Sequence, residues 1–294
     1  MNDLSLIEPA AGLRDEARAA WTREATAMPA VGEIWLLSWN AVAHGLVLVT
    51  AVFPDYVLGM PVLMGTEYAT GGELVLPADI LGTELTLLHE AETGLGKFLF
   101  HRNLGHAVSA DDTAGLRIGR HDGLVAGSHP LTEDIEASLS ATLHTFQALC
   151  FIEWPALTVG ESILNRSVLE GLGVNARAFA HASGLDVPSA LRTWRGQEPL
   201  TERAQSRLAA AYELSPAELL LAPDDEETRF LSSPQFKSGV VELAVNLAIT
   251  EGAARNAVRA DFALAARTDS FSARKRTLVA DTLARLVESS RATP

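Results

Sequence analysis

The side chains best placed to do chemistry lie in the run V-P-S-A-L-R-T-W-R, from Val187 to Arg195. Ser189, Arg192 and Arg195 recur at a spacing of three, so a helix would gather them on one side, with Thr193 beside Arg192. Guanidinium groups and hydroxyls in such a row suit hydrogen bonds to phosphate oxygens and base edges. Val187 and Pro188 precede them and suit apolar contact with a thymine methyl group. These six residues form the expected DNA-contacting set. The plainer reading of the two arginines is solubilising surface charge.

Other chemistry finds little to stand on. Of eight histidines, His101 and His106 lie five apart and His121 and His129 eight apart. None makes the i, i+4 pair with a third ligand that zinc favours. The single cysteine, Cys150, excludes intrachain disulfides and thiolate clusters. G-L-G-K (94–97) lacks phosphate-loop spacing, the H-E at 89–90 lacks a second histidine, and no G-x-S-x-G elbow occurs. The expectation is no catalytic residue, no cofactor and no metal.

The elements that must position Val187–Arg195 are written into the flanking residues. Asn175 can cap a first helix with Ala176, Phe179 and Ala180 inward, and Gly184 can take the left-handed turn position. Asp186 offers a cap to the next helix, and Pro188 falls in its first turn. Leu185, Leu191 and Trp194 would lock the pair, and Gly196 would end it. This is a helix-turn-helix pattern. Upstream, Ile163, Leu164, Val168 and Leu172 suggest a preceding helix. Downstream, Thr201 caps a helix through Leu208 and Tyr212, and Ser215–Glu218 reads as a capping box before Leu219, Leu220 and Leu221.

Five short helices over 161–222 resemble the XRE (Cro-repressor-type) helix-turn-helix family. The resemblance rests on Ala180, Ser183-Gly184-Leu185, Ser189, Arg192, Gly196 and the closing L-S-P-A-E-L-L. It implies sequence-specific binding of double-stranded DNA by the second helix of the motif, in a bacterial transcriptional regulator.

Charge bounds that expectation. The net charge is −14, which opposes general nucleic-acid binding. It is unevenly spread, with 7 basic against 16 acidic residues (−9) in 1–130 and −4 in 131–160. Residues 161–222 carry 6 against 7 (−1), and 223–294 balance at 10 and 10. No apolar run reaches the ~20 residues of a membrane helix. The N-terminal M-N-D-L-S-L-I-E lacks a basic signal region, so no membrane role and a cytoplasmic location are expected.

The first half has a different texture. Leu13, Ala17, Ala20 and Trp21 make one side of a helix over 12–26. Six β-rich runs follow, at 33–39, 44–53, 56–64, 73–77, 85–89 and 97–101, separated by turn residues such as Asn40, Gly65, Gly82 and Gly94-Leu95-Gly96. With no helix-length crossovers, they suggest a small bent barrel. The opening P-A-V-G-E-I-W-L-L, with later P-V-L-M and L-G-H, resembles the MazF/PemK toxin family across 29–107, which implies an SH3-like barrel and RNA cleavage. V-F-P-D-Y (52–56) stands where that family's active-site segment belongs, and no Arg or Lys occurs between Arg23 and Lys97. Without cations, phosphodiester cleavage lacks stabilisation of its developing charge. Not an enzyme is therefore the expectation.

The sequence thus predicts an α+β multidomain chain: a small SH3-like β-barrel with an N-terminal helix (1–130), a linker helix capped by Thr132 (131–160), the helix-turn-helix unit (161–222) and a helical tail (223–294). The barrel would take a small-molecule effector or a protein partner. Stripes of Val240, Leu243, Ala244 and Leu247, and of Val279, Leu283, Leu286 and Val287, would hold a homodimer or pack on each other within one chain. The alternatives are a toxin–antitoxin-type fusion with an RNA-binding or RNA-cleaving barrel, and a protein-interaction scaffold.

Overall fold

A computed structural model of the chain describes residues 13–77, 81–121, 124–154, 163–220, 229–265 and 272–291. Two compact units emerge, one running up to Glu153 and taking in Ser232–Ser238, the other formed by Trp154–Leu231 and the residues from Gly239 onward.

The first unit is an antiparallel sheet of eight strands covered by helices. Strand β1 (Glu33–Trp39) turns through Asn40 and Ala41, both at positive φ, into β2 (Val42–Val52). That tight turn matches the right-handed strand twist. β3 (Tyr56–Met64) pairs β2 along its length. Its other edge is shared: Tyr56–Gly59 meet β6 (Thr93–Gly96), and Val62–Met64 meet β5 (Leu85–Leu87). β4 (Leu74–Leu76) joins β5 to β8 (Val125–Ala126), and β7 (Phe100–His106) flanks β1. The path ends at β7 and β8, so among the described residues the sheet does not close into the expected barrel. Eight strands replace the six expected. Gly94-Leu95-Gly96, expected as a turn, is strand β6 with Leu95 buried.

Helix α1 (Asp15–Thr22) lays Ala17 and Trp21 on the sheet, as its spacing predicts. The turn-rich stretch after Arg102 contains an unexpected helix, α2 (Ala110–Arg117), capped by Ser109 and anchored by Thr113 and Leu116. Helix α3 (Glu133–Cys150) is capped by Thr132 as expected and buries Phe146 and Leu149. Expected as a linker, it packs on β6, β2 and β3. Gly45, in β2, faces the Phe146 ring, 3.1 Å from where a side chain would begin.

The second unit begins with α4 (Arg166–Gly171), α5 (Ala176–Ser183), α6 (Val187–Trp194) and α7 (Glu202–Tyr212). Ile163 and Leu164 precede α4 rather than forming its face, and Leu172 beyond it is 54% exposed. Leu169 is the α4 residue in the core. The fifth helix is not seen among the described residues: 216–219 form a turn, and Leu220 bridges to Leu164. Ser215 and Glu218 do exchange the two hydrogen bonds of a capping box. Leu221 and the acidic run after Pro223 lie outside the described residues.

Helices α8 (Lys237–Leu247), α9 (Glu251–Ala265) and α10 (Ser272–Arg291) complete the chain, the first two residues of α8 belonging to the first unit. Val240, Leu243 and Ala244 are buried within the chain, as are Val279, Leu283 and Val287. Gly239 lies against Leu283, and Asn246 Nδ2 donates to Ser290 Oγ at 3.0 Å. Most of both stripes is therefore covered within one chain, with Leu247 and Leu286 half-buried. No helix among the described residues is long and apolar enough to cross a membrane.

Candidate nucleic-acid interface

The helix-turn-helix is built from local hydrogen bonds. Asn175 Oδ1 accepts from the Ala178 N–H at 3.0 Å, starting α5. Gly184 then takes φ +69°, and any side chain there would meet the guanidinium of Arg207. Glycine satisfies both the left-handed backbone and the close approach. Ser183, buried, donates to the Ala180 carbonyl and accepts weakly from the Leu185 N–H. Asp186 Oδ1 accepts from the Ser189 N–H at 2.9 Å and starts α6. That bond, with Ser189's hydroxyl and Arg192 nearby, holds the Asp186 carboxyl below its usual range.

Packing fixes how α6 is turned. Ala190, Thr193 and Trp194 face the core. Trp194 tilts against Phe179 at 5.3 Å, and the Arg166 guanidinium lies 5.5 Å from its ring. Arg166 is in turn held by Glu170 at 2.8 Å and Asp261 at 3.7 Å. Gly196, at φ +71°, ends the helix against Ala260, so α9 supports its base. Helix α9 and the module thus lie within one compact unit.

Two expectations change here. Thr193 is 1% exposed and cannot reach a ligand, because the helix turns it inward beside Ala190 and Trp194. Leu191, expected inside, is instead on the surface. The remaining residues stay accessible. Val187 is 64% exposed, Pro188 and Arg195 are exposed, and Ser189 is half-buried. Arg192 is engaged: its Nε donates to Glu198 Oε1 at 2.5 Å and its Nη2 to Ser189 Oγ at 3.1 Å. Exposed pairs of this kind contribute only ~0–1 kcal/mol, so Arg192 can exchange partners. Arg195 makes no ion pair with another described residue. Arg177, Arg203 and Arg207, which lie outside the Val187–Arg195 run, are exposed cations of the same module. The basic count of 161–222 was the signal available for them.

The first unit holds a serine–histidine pair that the sequence did not reveal. Ser38 Oγ and His101 Nδ1 are 2.9 Å apart and both residues are buried. Beside them Lys237, wholly buried, donates to the Ser38 and Phe98 carbonyls at 2.7 and 2.9 Å and lies over the Trp39 ring. These groups tie β1 to the 232–238 segment, out of reach of any substrate. His89 and His121 pack edge to face at 4.6 Å, and burial, then the neighbouring His121, lowers the His89 pKa. Among the described residues no group of three His, Cys, Asp or Glu side chains is placed to hold a metal ion. Comparison of the chain with family models, with curated proteins and with solved structures finds no match.

Proposed function

We propose that the second unit is a DNA-binding module and that the chain is a sequence-specific transcriptional regulator, with α6 entering the major groove of double-stranded DNA. The observation that carries this reading is the capped α5–Gly184–α6 arrangement, with Val187, Pro188 and Arg195 left in solvent at the leading edge and end of α6. A solvated helix start beside a tight turn is what a major groove admits. Val187 and Pro188 favour thymine methyl contact, while Arg195, and Arg192 on release from Glu198, supply donors to bases or phosphates. The near-neutral charge of 161–222 makes non-specific attraction weak, so two copies on half-sites ~34–36 Å apart would raise affinity. We read the eight-stranded sheet as an opened relative of the SH3-like barrel that serves as the module's partner-binding half.

Selection of fragments from the source genome by the purified full chain, followed by fluorescence anisotropy, tests the reading. Arg192→Ala combined with Arg195→Ala should weaken binding roughly thirtyfold or more, since each good base contact is worth ~1–3 kcal/mol. Undiminished affinity in that folded variant would refute it.

A further inference from the structure

The first unit carries a groove that the DNA reading does not use. It runs between the loop at Thr70–Glu73 and helix α3. Leu131, Leu139 and Leu143 supply its apolar lining. Leu131, just before α3, is 56% exposed, and Leu143 is 43% exposed on a helix whose other side is already packed on the sheet through Phe146 and Leu149. Scattered surface leucines need no explanation, but three lining one groove do.

The rim defines the partner. Glu73 and Glu136 line the groove, and Glu133 and Asp134 stand exposed in the first turn of α3. The Glu73 carboxylate is preorganised, accepting from the Thr70 and Gly71 N–H groups at 2.8 and 3.2 Å. No lysine or arginine is among the described lining residues, which include only His144 as a basic side chain. An acidic rim repels nucleic acid and anionic lipid. It also disfavours a second copy of α3, which would set carboxylates against carboxylates. A leucine floor between carboxylates complements the opposite pattern.

We propose that this groove docks a cationic amphipathic helix of a partner protein, its apolar stripe on Leu131, Leu139 and Leu143 and its Lys or Arg flanks against Glu73 and Glu136. The experiment uses the full chain and a fluorescent synthetic helix of about 14 leucine and lysine residues, roughly four turns. One control is the same composition scrambled to destroy the stripe; another replaces lysine by glutamate. Saturable binding of the striped cationic helix alone is expected. Leu143→Asp should weaken it at least tenfold, and Glu136→Lys several-fold, the latter less at high salt. Equal binding of the scrambled peptide, equal binding by Leu143→Asp protein, or absence of saturable binding would overturn the proposal. Should Leu143→Asp fail to fold, Glu136→Lys, at an exposed position, decides the matter alone.

Discussion

Helices α6 and α3 both leave apolar side chains in water, but they surround them with opposite charge. On α6, exposed Val187 and Leu191 share the helix with Arg192 and, just past its end, Arg195. On α3, exposed Leu143 shares it with Glu133, Asp134 and Glu136. In the two complexes proposed above, the apolar surface would supply affinity and the flanking charge would select the class of partner. One chain of net charge −14 can therefore carry a surface for an anionic polymer and another for a cationic one.

The largest expected effect is a double dissociation between these surfaces. Arg195→Glu should weaken DNA binding at least about tenfold, by loss of one good contact and added repulsion, and leave peptide binding unchanged. Glu136→Lys should do the reverse. Anisotropy with both labelled ligands on both variants checks this. If either variant damages both activities to the same degree, the surfaces are not independent.

How far the sequence disclosed these surfaces depends on how local the determining physics is. Asn175, Gly184, Asp186 and Thr201 act within four residues of themselves, and each took the role its type and spacing implied. Thr193 lies on the buried side because its three-residue step from Ala190 puts it there, a phase set by the packing of Trp194 on Phe179 and not by the spacing alone. Lys237 reads as a surface charge. Its burial depends on two carbonyls and a ring that lie 139 or more residues away in the chain. The Leu164–Leu220 bridge is equally non-local, and it took the place of the expected helical face. Helix α2 was hidden because a short charged segment with only Thr113 and Leu116 inside has almost no periodicity to read.

Acidification should next separate an early histidine step from a late carboxylate step. His89, in the first, has a folded pKa lowered by burial first and by His121 second. Its stabilising contribution is full above the unfolded value of about 6.5 and is lost as pH falls through the folded value. Asp186 and Glu218, in the second, are also lowered, chiefly by N–H donors of Ser189 and Ser215. Their contributions are full above roughly pH 4 to 4.5 and fade only below that. Glu73 follows the same acid course: burial raises it, but the Thr70 and Gly71 hydrogen bonds carry it below its usual value. Thermal melts at pH 7, 5 and 3.5 should show an early loss that His89→Gln removes and a late loss that Asp186→Asn reduces. An early loss that survives His89→Gln would break the assignment of that step to the first unit.

Thr193→Val is a smaller test of how α6 is turned. With the threonine 1% exposed, removing its hydroxyl takes nothing from a bound duplex. DNA affinity should change less than about threefold, below what even a weak base contact of ~1 kcal/mol would cost. A tenfold loss, with the melting curve intact, would mean that α6 rotates on binding and presents a different face.

The smallest expected effect is none: the sheet unit should leave RNA uncut. Its Ser38–His101 pair has the spacing of a nucleophile and base, yet 0% and 5% exposure leave no path for a phosphodiester. Lys237, beside the pair, is committed to the Ser38 and Phe98 carbonyls. Lys97 Nζ donates to the Pro54 carbonyl at 2.6 Å, and Arg102 Nη1 to Ser238 Oγ, also at 2.6 Å. Lys97 and Lys237 are held by backbone carbonyls and Arg102 by the half-buried Ser238 hydroxyl, so each cation is already engaged and the charge that develops on a cleaved phosphate has no ready partner. The acidic rim along α3 adds repulsion against the same polymer that α6 is proposed to attract. Full-length protein incubated with a mixed single-stranded RNA should therefore return it intact on a denaturing gel. Cleavage abolished by Ser38→Ala or by Arg102→Ala would show that the sheet opens to admit RNA, and the contrast between the two helices would then no longer describe two kinds of partner.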